Sequence, residues 1–153
     1  MAGMKKILVS QCLTGDCCRW DGGNNLVPGI RKLAERGIAV PVCPEQLGGL
    51  PTPRTPSEIR DDRVVMRDGT DVTVAFRTGA ERALAVGLEQ GCAMAVVKAK
   101  SPSCGCGTVY DGTFSGTLVP GDGVFVCLLR EAGIPVCTEK DDWEERVRAL
   151  AED

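Results

Sequence analysis

Three short apolar runs, each breaking into a loop that carries a cysteine, limit this chain more than any other feature. Residues 6–10 lead into Gln11 and Cys12, residues 38–42 into Cys43, and residues 94–97 into Lys98-Ala-Lys-Ser-Pro-Ser-Cys-Gly-Cys-Gly107. Apolar and β-branched runs of this length, stopped by Ser, Pro and Gly, read as buried strands ending in loops. Helical periods separate them. Leu26, Ile30 and Leu33 mark a helix over 26–36 that Gly37 closes. Val72, Ala75, Phe76, Ala80, Ala83, Leu84 and Leu88 mark the strongest helix, over 71–90. A third helix opens at Gly121-Asp-Gly123 and stops at Gly133, a last strand covers 134–137, and a charged helix covers 141–150. Alternating strands and helices predict an α/β fold: a single-domain, three-layer sandwich on a mainly parallel sheet, Rossmann-like. The domain is expected over 5–150, with 1–4 as an N-terminal extension. Pro41 suits an edge or strand end. Residues 63–66, with the turn at Asp68-Gly69, suggest a small rim hairpin. The four prolines between Pro44 and Pro56 argue against any regular helix there.

In a parallel sheet, ligands bind beyond the carboxyl ends of the strands. Cys12, Cys43 and Cys104 all follow such ends, so they are expected at one sheet edge. The chain has nine cysteines and no histidine. An odd count fits no closed disulfide framework, and the missing imidazole removes Ser-His and Cys-His chemistry. The apolar run after the first lysines is too short for a signal-peptide core, so a cytoplasmic protein with no membrane span is expected. A net charge of -3 and 4% aromatic residues make nucleic acid a poor partner.

Three thiolates from separate loops can hold zinc or an iron–sulfur cluster; equally, each can be a small buried hydrophobe. Glu45, fixed by Pro44, offers an acid or base. Ser101 and Ser103 offer hydroxyls, and Gly105 and Gly107 allow close backbone approach. The Gly121-Asp122-Gly123 helix start, Arg54 and Arg19 are candidate anion holders. Cys127 and Cys137 read as core and Cys92 as packing, while Cys17 and Cys106 have no assigned role.

Six ordered motifs go further: Ser10-Gln-Cys-Leu-Thr-Gly15, Cys18-Arg-Trp-Asp-Gly22, Cys43-Pro-Glu-Gln-Leu-Gly-Gly-Leu-Pro-Thr-Pro-Arg54, Gly69-Thr-Asp-Val-Thr73, Lys100-Ser-Pro-Ser-Cys-Gly105 and Tyr110-Asp-Gly-Thr-Phe-Ser-Gly116. Together they resemble domain-of-unknown-function family 523, whose characterised member is a thiouracil desulfidase. The resemblance covers nearly the whole chain. It implies a [4Fe-4S] cluster on Cys12, Cys43 and Cys104, with hydrosulfide or substrate sulfur at the fourth iron. It makes Glu45 the catalytic carboxylate and Ser101 a catalytic or substrate-positioning hydroxyl. Ser103 is a competing substrate contact, with Arg54, Gly121 and Gly123 as holders of a ribose phosphate. Trp20 stands where tyrosine is commoner in the family, Cys17 and Cys106 are additions, and Cys18 is a reserve ligand. The implied reaction is non-redox removal of sulfur from a thiolated pyrimidine, as base, nucleoside or nucleotide, by a water that Glu45 assists. The rivals are a zinc hydrolase on the same three thiolates and a non-enzymatic iron–sulfur or sulfide-binding module.

Overall fold

The computed structural model describes residues 5–150. Four strands, β1 (Ile7–Ser10), β2 (Ala39–Val42), β5 (Met94–Val97) and β8 (Val136–Thr138), form a parallel sheet in the order β2-β1-β5-β8. Every residue of β1 and β5 is buried, as expected of central strands covered on both faces. Their side chains alternate between two layers. Ile7, Val9, Met94 and Val96 pack against Ile30 of α1 (Pro28–Glu35) and against Trp143 and Val147 of α5 (Trp143–Leu150). Leu8, Ala95 and Val97 pack against Ala80 and Ala83 of α3 (Thr73–Glu89) and against Phe125, Val126 and Leu129 of α4 (Val124–Glu131). The period of two along each strand thus produces the three-layer α/β sandwich that the sequence predicts. β2 is an edge strand, and an edge tolerates the missing N–H of Pro41.

The departures are local. The rim hairpin pairs β3 (Ser57–Arg60) with β4 (Arg63–Met66). Its turn is at Asp61 and Asp62, not Asp68-Gly69, and Asp61 takes a left-handed φ of 57°. The Asp68-Gly69 turn instead brings Asp71 back to bridge Val65. A second hairpin, β6 (Thr108–Tyr110) with β7 (Leu118–Pro120), was not expected; the turns at Asp111-Gly112 and Ser115-Gly116 lie in its connecting loop. A one-turn helix, α2 (Pro44–Leu47), forms despite the prolines, because Pro44 sits in its first turn, where no N–H is needed. Cys127 is exposed, contrary to the core position predicted for it, because it lies on the solvent side of α4; Cys137 is buried. The expected extension 1–4 lies outside the described residues.

Candidate active site: a thiol-lined cleft at the sheet edge

Three connections leave the carboxyl edge of the sheet together. A 3-10 turn (Gln11–Thr14) follows β1, α2 follows β2, and the loop of residues 98–107 follows β5. Between them lies a cleft of about 690 Å³ whose lining includes Cys12, Cys18, Cys43 and Cys104. All four thiols are buried. The expected gathering of Cys12, Cys43 and Cys104 is therefore present, and Cys18 joins it.

The thiols are not equivalent. The Cys18 thiol neighbours Cys12 and Cys43, and holding its proton between those two sulfurs drives its own pKa far up. The hydrogen bond from Cys18 is the largest influence holding Cys12 below the usual thiol range, with Asn25 Nδ2 adding a contact at 3.3 Å. It also brings Cys43 down to about 7. Burial pushes Cys104 up to about 12. Cys12 and Cys43 thus ionise more readily than a free thiol, and Cys104 needs a cation beside it to ionise.

The carboxylate of Glu45 lies in the same cleft. Its Oε1 accepts Arg54 Nε at 3.0 Å and its Oε2 accepts the Ser103 hydroxyl at 3.1 Å. Arg54 is only 3% exposed in its side chain. It also donates to Pro51 O, Thr52 Oγ1 and Cys18 O at 3.1, 2.9 and 2.9 Å. The position of Glu45 depends on how closely α2 approaches α3. A methyl group on Gly79 would overlap the Pro44 carbonyl, and one on Gly48 would overlap that of Ala75. Ser101 Oγ stands 3.0 Å from Ser103 Oγ and accepts the amides of Ser103 and Cys104 at 3.2 and 3.1 Å.

Gly121 and Gly123 are not brought to this cleft. Their amides donate to Gly107 O and Gly105 O, and those of Val124 and Phe125 to Pro102 O and Ser103 O. The start of α4 therefore anchors the cysteine loop, and its N–H groups are spent on carbonyls instead of an anion. Arg54 likewise commits four of its five N–H donors to protein acceptors. Sequence reasoning missed other cleft residues. Lys98 pairs with Glu139 at 3.0 Å. Arg67 sits 5.7 Å from the centroid of Phe114. Lys100, Lys140, Tyr110 and Phe114 also line the cleft. Lys98 and Lys100 were visible beside the third strand end, but Arg67 and Lys140 carried no local signal.

The donor set constrains any metal centre. It is all sulfur, with no imidazole, and Glu45 is already engaged by Arg54 and Ser103. Among the described residues, no three His, Cys, Asp or Glu side chains converge on a point that would hold one metal ion. Thiols that share a cleft without meeting at one point suit a polynuclear cluster, where each thiolate takes a different iron, better than tetrahedral zinc.

A parallel α/β domain with a sulfur-lined cleft at the carboxyl edge of its sheet defines the class. The chain belongs to the 2-thiouracil desulfurase family, whose model matches residues 7–141. It is 42% identical over 145 residues to the uncharacterized protein YbbK of Bacillus subtilis (strain 168), covering 88% of this chain and 96% of that one. It also superposes on the solved structure of the [4Fe-4S]-dependent thiouracil desulfidase TudS with a TM-score of 0.86. The identity there is 44%, over 92% of this chain and 94% of that one. The motifs that resemble family 523 and the fold thus lead to the same family.

Proposed function

We propose that this protein is a [4Fe-4S]-dependent desulfidase that converts a thiolated pyrimidine to its oxo form and sulfide, with the cluster held by Cys12, Cys43 and Cys104. The observation that carries the reading is the convergence of these three strand-end thiols with Glu45 in one cleft, in a member of a desulfurase family. A cluster with one iron free of cysteine supplies a Lewis-acidic position suited to a soft sulfur ligand. The protein supplies the rest. Glu45 takes a proton from the attacking water. Arg54 fixes the carboxylate through Oε1 and leaves Oε2 to Ser103. Trp20, Tyr110 and Phe114 give the cleft flat apolar surfaces for a pyrimidine ring. If the substrate is a nucleotide, the phosphate holders are Arg67, Lys100 and Lys140, in place of Gly121, Gly123 and Arg54. Those three cations line the cleft and make no ion pair among the described residues.

Anaerobic reconstitution with iron and sulfide, followed by sulfide release from thiouracil and from its nucleotide, tests the proposal. Iron and labile sulfide should load and turnover should follow. Cys104→Ser should lose cluster, and Glu45→Ala should keep cluster but lose at least about 100-fold in kcat. A protein that binds zinc and no iron, or a loaded protein that releases no sulfide, overturns it.

A further inference from the structure

Ser103 occupies an unusual place between the two groups that reach substrate space. Ser101 and Glu45 are both partly exposed in the cleft, whereas Ser103, the link between them, is only 2% exposed. A hydroxyl has one proton and two lone pairs. Both lone pairs of Ser101 Oγ are occupied, by the amides of Ser103 and Cys104. Its 3.0 Å contact with Ser103 Oγ must therefore be a bond that Ser101 donates. Ser103 accepts there, and its own proton goes to Glu45 Oε2 at 3.1 Å, since an ionised carboxylate only accepts. The 3.7 Å contact with Cys104 Sγ is the weaker alternative for that proton. Arg54 on Oε1 leaves Oε2 as the open end for a proton. The chain of bonds has one direction in the resting enzyme, from Ser101 through Ser103 to Glu45.

We propose that Ser103 is a buried proton-relay residue that couples Glu45 to Ser101 instead of contacting substrate. The inference rests on the hydrolytic reading above. Water attacks the thiocarbonyl carbon: a C–O bond forms, an O–H bond breaks, and the proton goes to Glu45 Oε2. Ser101 gives its proton to the sulfur. Ser101, having lost that proton, gains a third lone pair, so the Ser103 O–H turns from the now protonated Glu45 to Ser101, passes its proton there and is refilled from Glu45. The carbon then carries a hydroxyl and a thiol. On collapse the second O–H proton follows the same route, the C–S bond breaks with its electron pair on sulfur, and hydrogen sulfide leaves with the oxo product. One water is consumed, two protons pass in one direction, and no oxidant or reductant is needed. Protonation of Glu45 reverses the resting direction of the row, because Oε2 then becomes a donor to Ser103.

Ser103→Ala tests the relay with three measurements. In the cluster-free, reduced protein, the Glu45 carboxylate stretch can be isolated as the infrared difference between wild type and Glu45→Gln. Ser103→Ala should shift it; an unmoved band overturns the relay whether or not the enzyme turns over. In the reconstituted enzyme, kcat should fall about 100-fold or more while KM stays within about twofold, with iron, labile sulfide and absorbance unchanged. Ser103→Thr should restore much of the rate. A raised KM with unchanged kcat makes Ser103 a substrate contact and overturns the proposal. Should Ser103→Ala fail to load, the wild-type proton inventory in mixed light and heavy water decides. A bowed plot supports several protons in flight, and a linear one overturns the relay. Absence of sulfide release by wild type alone, with the band shifted, sinks the desulfidase reading and leaves the wired carboxylate standing.

Discussion

Arg54 spends its guanidinium on four acceptors, and only one of them is the carboxylate that does chemistry. A buried charge stripped of its partner is destabilising by several kcal/mol. Here the loss is smaller, because Glu45 is 16% exposed and keeps its Ser103 bond. Arg54→Ala should therefore lower stability by about 2–3 kcal/mol in urea titrations of the reduced, cluster-free protein. It should also lower kcat at least about tenfold in the loaded enzyme, since Glu45 loses its fixed aim. Arg54→Lys should recover little. A lysine keeps the charge but cannot fork to Glu45, Thr52 and the Cys18 carbonyl at once. Full stability and activity in Arg54→Lys would mean that charge alone, not the fork, is what the site needs.

The short helix α2 reaches its position because two glycines remove the side chains that would hold it off α3. Gly79→Ala would force a methyl group into the Pro44 carbonyl, and the helices must part. Overpacking of this kind costs about 1–3 kcal/mol, and the displaced element carries Glu45 next to Cys43. Gly79→Ala should therefore lose kcat together with iron affinity, measured as turnover and as iron retained after gel filtration; an active, fully loaded variant would show that α2 adjusts freely. Legibility also divides at this scale. β1 and β5 were readable because central strands buried on both faces leave unbroken apolar runs, and α3 because its buried Phe76, Ala80 and Ala83 repeat at helical spacing. β3 and β7 were not, since neither contains a fully buried residue to set a pattern. α2 was missed because proline was weighed as a breaker and not as a first-turn residue. At the site, Cys12, Cys43 and Cys104 were visible because each lies in the connection that follows a strand. The Gly121-Asp122-Gly123 start misled, since no local signal told that its amides are spent on carbonyls of the loop at 102–107.

Across the whole molecule the cations and the thiols are distributed against the net charge. The chain carries 18 Lys and Arg against 21 Asp and Glu, yet six cations line the cleft beside only two carboxylates, Glu45 and Glu58. Glu58 is turned to structure, accepting the amides of Gly112 and Phe114. The excess favours thiolates and any anionic end of a substrate. The thiol outside the cleft that is most deeply buried behaves differently. Cys137 lies in the sheet layer under α5, is 1% exposed, and burial pushes its pKa from 9.0 to about 11. The folded state thus holds this proton more tightly than the unfolded chain. Its contribution is complete below pH 9, and it falls as pH rises from about 9 to about 11, because the unfolded thiol ionises first. The shift is worth at most about 2–3 kcal/mol. Cys137→Ala should cost stability at pH 8, by removing a packed sulfur, yet show a flatter decline between pH 9 and 11. Urea titrations of reduced, cluster-free wild type and variant across that range give the two slopes. Because every other thiol ionises in both proteins, their difference isolates Cys137, and parallel slopes would mean that the Cys137 thiol ionises as readily folded as unfolded.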